Sequence, residues 1–188
     1  MRHVTLGLLL ALAAAPAAAL DTLPDSTARS KPFPQAYVMQ AQNAPVSTCD
    51  GLLDAYLAAG WPRAEGFPAI KQIDRRVKDR VALRNDPDGD IWTPLARQVI
   101  TGMPAQGDCD DVSVTNAQLA VCAGMPAENL GLLVTESPNR RGEMHMVAFY
   151  KDPADAVWVF GDTLGRPRPL SKLGQKLYYF AYLDRVTD

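Results

Sequence analysis

The sequence predicts an α+β domain, with helices first and an antiparallel sheet after them. Two observations carry this. Between residues 50 and 123, apolar positions recur at three- and four-residue intervals between helix stop signals. From residue 130 onward they form short runs rich in β-branched and aromatic side chains. Helices followed by strands, rather than alternating with them, give segregated layers instead of a parallel sheet.

The elements follow in order. Residues 1–19 read as a secretory signal. Met1-Arg2-His3 is a positive start, Val4 to Ala15 is apolar, and Ala17-Ala18-Ala19 is a small-residue cleavage site. The apolar run is too short for a membrane span, and no later segment is apolar enough to be one. Residues 20–46, rich in Pro, Ser, Gln and Asn from Pro24 to Pro45, read as an extended N-terminal arm. Residues 47–188 then form the single folded domain of a periplasmic or secreted protein.

Asp50 to Ala59 predicts a short helix with Leu52, Leu53, Tyr56 and Leu57 on one side, stopped by Gly60-Trp61-Pro62. Pro68 to Leu83 predicts a second helix. Ile70, Ile73, Val77 and Val81 face inward, while Lys71, Arg75, Arg76, Lys78 and Asp79 face water. Asn85 to Asp90 reads as a turn. It lacks the EF-hand pattern, since its Gly comes one position early and the twelfth residue from Asp86 is Arg97. Pro94 to Ile100 predicts a short helix with Pro94 in its first turn, and 101–107 a loop. Cys109 to Ala123 predicts a helix closed by Gly124, despite its β-branched Val112, Val114, Thr115 and Val121. Strands are expected at 130–135, 144–151, 156–161 and 177–183.

The charge is small and mixed in sign, with a formal net of -2. No basic stripe appears, which argues against nucleic acid as a partner. Beyond the signal, His145 is the one histidine. With no second imidazole and no paired cysteine spacing, a zinc site is not expected.

The segment 144–162 supports a geometric argument. A four-residue loop from Asp152 to Asp155 would set Lys151 opposite Ala156, Phe149 opposite Trp158, Val147 opposite Phe160 and His145 opposite Asp162. Opposed residues share a face, with Cβ atoms about 4.5–5.5 Å apart. Both faces are apolar below this pair, so both strands should be interior to the sheet. Asp162 would then accept a ring N–H of His145 and fix its tautomer. The same pair also reads as an ordinary cross-strand contact.

Cys109 opens its helix directly after Gly107-Asp108. A thiolate there gains from the helix dipole and from free backbone N–H groups, which also suit an oxyanion. Asp108, Asp110 and Asp111 oppose this, because negative charge disfavours a thiolate. Two readings answer that cost. Either these carboxylates cap the helix, or a hard, oxygen-preferring cation such as Ca²⁺ sits among them. Of the other cysteines, a Cys49–Cys122 bridge would leave Cys109 free. The favoured reading is that both are small buried hydrophobes.

Cys, His and Asp in this order, each in its own motif, are the groups of thiol acyl chemistry. The motifs Asp90-Ile91-Trp92-Thr93-Pro94, Gly107-Asp108-Cys109-Asp110-Asp111 and His145-Met146-Val147, with Asp162 after a strand, resemble the bacterial transglutaminase-like cysteine peptidases, including the LapG-like periplasmic proteases. The resemblance runs from about residue 70 to 162. It implies a papain-like or transglutaminase-like core, with Cys109 as nucleophile, His145 as base and acid, and Asp162 as orienting group. It also implies calcium held by Asp108 and Asp110, a protein or peptide substrate, and an inner-membrane regulatory receptor. The chain carries Asp110 where LapG-like members usually have Glu, Gly161 where Leu is usual, and Thr163 where Asn is common.

The expected function is therefore an exported cysteine hydrolase working through an acyl-enzyme. One rival is a transglutaminase or transpeptidase that passes the acyl group to an amine. Another is a non-catalytic periplasmic binding or regulatory module. Trp92 reads as core before it reads as cleft lining.

Overall fold

The computed structural model describes residues 33–85, 91–162 and 165–186. The signal reading and most of the 85–90 turn lie outside the described residues. Six α-helices and seven strands are present among them. In chain order they are α1 (Gln35–Asn43), α2 (Leu53–Ala58), α3 (Phe67–Lys78), β1 (Val81–Leu83), α4 (Ala96–Thr101), β2 (Ala105–Gly107), α5 (Cys109–Ala123), β3 (Leu130–Glu136), β4 (Met144–Lys151), β5 (Val157–Phe160), β6 (Arg168–Pro169), β7 (Leu177–Tyr182) and α6 (Leu183–Val186).

The main sheet is antiparallel, ordered β6-β5-β4-β3-β7, so β4 and β5 are interior as expected. Helix α5 packs across β4 and β3, and α3 packs on α5 and β5. Nearly every residue of α5 is buried, polar ones included. A helix buried all round has no amphipathic stripe to read, so its ends carry the signal instead. Asp108 caps its start and Gly124, at φ 104°, closes it in the left-handed region that favours glycine.

Three expectations are corrected. The arm is not extended from Gln35 on. Helix α1 packs there, with Phe33 and Tyr37 against the Trp92 ring, Gln40 Oε1 accepting from Trp92 N at 3.4 Å, and Gln118 Nε2 donating to the Pro45 carbonyl at 2.7 Å. The second helix stops at Lys78 rather than Leu83, and Val81 continues inward as part of β1. The expected 101–107 loop contains β2, which pairs parallel with β1. Neither three-residue strand alternates clearly enough to be read locally; each exists through its pairing with the other.

Cys49 and Cys122 form a disulfide, with Cα atoms 4.9 Å apart. The favoured reading of two buried thiols fails because residues 73 positions apart meet where the α2 lead-in crosses the C-terminal end of α5. Cys109 is the one free cysteine.

The β4–β5 register is also corrected, by one residue. Lys151 pairs with Val157, Tyr150 with Trp158, Phe149 with Val159 and Ala148 with Phe160. The loop is longer than expected because Asp152 organises it. Its Oδ1 accepts from Ala154 N and Ala156 N, both at 2.9 Å, and its Oδ2 from Trp158 Nε1 at 3.0 Å. Asp155 takes a positive φ of 64°. This moves Trp158 and Phe160 to the helix-covered face, with Met146, Ala148 and Tyr150. Val147, Phe149, Val157 and Val159 fill the opposite face with Leu170, Leu173 and Phe180.

Candidate active site

A cleft of about 630 Å³ opens between two walls. One is built from the end of β1 and Asp108, the other from the β3–β4 connection. Cys109, His145 and Asp162 all line it, as do Asp108 and Asp110. Trp92 is 4% exposed and belongs to the core, as the sequence favoured.

The first turn of α5 sets Cys109. Asp108 Oδ1 accepts from Asp110 N at 3.3 Å, so capping is real. The Ser113 hydroxyl lies between the carbonyls of Cys109, at 2.6 Å, and Met146, at 3.0 Å, and ties this turn to β4. Asp111 is buried, and its Oδ1 accepts from Thr93 N at 2.6 Å. Thr115 Oγ1 accepts from Leu95 N at 2.8 Å. The Thr93–Leu95 segment is thus clamped to α5 by two side chains, Asp111, which was read as a helix cap or cation ligand, and Thr115, which was given no contact.

Burial pushes the Cys109 thiol up to about 12, and the Asp110, Asp108 and Asp162 carboxylates add to that rise against a backbone hydrogen bond with Met146. Both the burial and the carboxylates favour the neutral thiol over the thiolate. The anticipated electrostatic cost is therefore present in the structure, and capping by Asp108 does not remove it.

One oxygen of Asp108, one of Asp110 and the Cys109 sulfur all lie within 4.8 Å of one another. Asp110 is 3% exposed. Two close carboxylates, one buried, fit a hard cation through their oxygens, even with aspartate in place of glutamate at 110.

His145 and Asp162 do meet. His145 Nε2 is 2.7 Å from the Asp162 backbone carbonyl and 3.7 Å from its Oδ2. A carbonyl can only accept, so Nε2 carries the proton and Nδ1 is the acceptor nitrogen of the ring. The orienting hydrogen bond goes to the main chain, and the carboxylate stands beyond hydrogen-bond range.

This contact survives the register correction because of Gly161. With the observed pairing, a straight strand would put Asp162 opposite Met146, on the face away from His145. Gly161 instead takes φ 92° and turns the chain after Phe160. Its N–H donates to Asp74 Oδ1 at 2.9 Å. Asp74 was missed, though a signal existed: it lies on the inward face of α3 with Ile70, Ile73 and Val77, all buried. Lys78 was expected to face water, but its Nζ is 3.0 Å from Asp74 Oδ2 and 2.7 Å from the Gly165 carbonyl.

No family model matches the chain, and no curated protein is similar to it in sequence. Solved structures do match in fold. Legionella pneumophila LapG superposes with a TM-score of 0.54 at 17% identity, covering 77% of this chain and 83% of that one. Its calcium-bound form gives the same values. The EGTA-treated form gives 0.54 and 17% over 81% of its length. The chain has a LapG-like fold, the α+β core its motifs implied.

Proposed function

We propose that the protein is an exported cysteine hydrolase, cutting a peptide or amide bond through an acyl-enzyme. The observation that carries this is the shared cleft in which His145, oriented through Nε2 by the Asp162 carbonyl, stands with the one free cysteine. Nδ1 of His145 takes the thiol proton as Cys109 Sγ attacks the substrate carbonyl. The carbonyl oxygen becomes an oxyanion facing the Cys109 N–H, which no intrahelical bond uses at a helix start. The imidazolium then protonates the leaving amine, and water attacks the thioester with His145 again as base.

Asp108 and Asp110 would hold a Ca²⁺ ion. When bound it supplies positive charge beside the carboxylates that oppose the thiolate. The calcium-bound and EGTA-treated forms of Legionella LapG are support from that protein, not from this one. Export to the periplasm is supported by the disulfide, since such bridges persist in oxidising compartments. No helix among the described residues is long and apolar enough to cross a membrane.

A non-catalytic binding module is the reading favoured by the burial of Cys109 and by the Asp108, Asp110 and Asp162 carboxylates around it, which hold its thiol up. Iodoacetamide labelling at pH 7, with and without Ca²⁺, decides between the two. A hydrolase labels at Cys109 in the presence of Ca²⁺ and loses that labelling in H145A. A module labels in neither condition.

A further inference from the structure

The carbonyl that orients His145 cannot hold its own place. It follows a glycine at φ 92°, just past the last ladder pair of β5. What fixes it comes from the far side of the core. Asp74, 2% exposed on α3, takes the Gly161 N–H at 2.9 Å. Lys78, one turn later, bonds both Asp74 and the Gly165 carbonyl, so both glycines are tied to the same helix. The slot is tight on its other side. A Cβ at Gly161 would stand 3.1 Å from Ser113 Oγ and 3.3 Å from Ser113 Cα. The backbone at Gly161 is therefore gripped between Asp74 and Ser113 of α5.

A buried carboxylate is a poor stabiliser when an apolar side chain would fill the same space. Position 74 continues an apolar stripe, yet its side chain is the acceptor for the Gly161 N–H. Among the described contacts, that bond links α3 directly to the segment carrying Asp162.

We propose that Asp74 is a positioning residue for His145. Its bond to the Gly161 N–H holds the Phe160–Gly161 peptide, which sets the course of the backbone that brings the Asp162 carbonyl to Nε2, and Lys78 serves as its counter-ion. Asp74 touches no substrate and acts through two hydrogen bonds in series. The meaning of this for turnover rests on the hydrolase reading, but the positioning itself does not.

The test uses ¹⁵N-histidine-labelled protein in an H3Q background, so that His145 is the one imidazole, with D74A and D74N compared against Asp74. The ring nitrogen shifts report the tautomer without any substrate. With Asp74 the two nitrogens are well separated, Nε2 protonated. In D74A they converge toward the average of two tautomers, and the Ca²⁺-supported iodoacetamide rate at Cys109 falls by about tenfold, the equivalent of one pKa unit. D74N, which keeps an acceptor oxygen without the charge, restores the Nε2–H tautomer. A folded D74A that keeps the single tautomer overturns the proposal. Should D74A not fold, D74N carries the test, and loss of the tautomer there overturns it equally. An inert thiol in the parent protein, with a tautomer that still follows the acceptor at 74, would sink the hydrolase reading and leave the positioning role standing.

Discussion

Replacing Asp162 with Asn should cost far less than the same change does in a serine protease, where the triad aspartate-to-asparagine change lowers kcat by about 10⁴ through the wrong tautomer. The geometry gives the reason. The tautomer of His145 is set by a backbone oxygen at 2.7 Å, which the substitution leaves in place. Only the carboxylate at 3.7 Å is removed. Its Coulomb attraction for an imidazolium at that distance is about 1 kcal/mol in a water-like medium and about 4 kcal/mol at a dielectric constant near 20. The same carboxylate also raises the Cys109 thiol. Thiolate and imidazolium form together, so the two effects oppose each other and the net loss is the smaller difference. A deficit of about 1–2 kcal/mol, roughly 5- to 30-fold, is expected. The assay is the second-order rate of Cys109 alkylation by iodoacetamide at pH 7 with Ca²⁺, in wild type, D162N and H145A, mapped by peptide mass. D162N should retain a measurable part of the gap between wild type and H145A. If D162N falls to the H145A rate, the carboxylate and not the carbonyl orients the ring, and the reasoning is refuted.

Four further outcomes are expected. C49A/C122A should lose about 4.5 kcal/mol, the chain-entropy value for a 73-residue separation, or roughly 9–18 °C in Tm, and the unreduced denatured wild type should titrate one thiol rather than three. Millimolar Ca²⁺ should raise the Cys109 alkylation rate at pH 7 by about tenfold or more, and D110N should abolish that response; equal rates with and without Ca²⁺ would remove the ion from the site. Desolvation raises the Asp74 carboxyl above the ordinary 3.8, so its contribution to stability is fully present below that pH and declines as pH rises through the raised value. Denaturation midpoints of wild type should therefore fall relative to D74N as pH increases. Asp152 is lowered, first by the Trp158 hydrogen bond, so its contribution is present above pH 3.8 and lost on acidification; D152A should cost about 1 kcal/mol at neutral pH and less in acid.

Much of the site was legible because it sits at ends of elements, where residue chemistry is decisive. Gly107-Asp108 before a helix and Gly124 after it bounded α5 to the residue, and the strand Met144–Lys151 was read with its true limits. Short partners were not legible. The β1–β2 pair and the Cys49–Cys122 bridge join residues far apart in sequence, and nothing local encodes either.

The His145–Asp162 contact is the instructive case, because the expectation holds for a different reason from the one that produced it. Simple alternation required a four-residue loop. The three bonds made by Asp152 select the longer one and shift every pair below it. A one-residue slip ought to have sent Asp162 to the wrong face. Gly161 supplies the compensating turn, and φ 92° is open to glycine at little cost. The turn then needs an anchor, since a glycine gives the backbone freedom without direction. Asp74 provides that direction from a helix some ninety residues earlier, 87 positions by the bond itself. So the loop residue, the glycine and the buried carboxylate form one device. The long loop displaces the strand, the glycine turns it back, and Asp74 fixes where the carbonyl comes to rest. G161L should therefore disturb the His145 tautomer as D74A does, and for the same geometric reason. A G161L protein with an undisturbed tautomer would show that the strand end, not the turn, positions the ring.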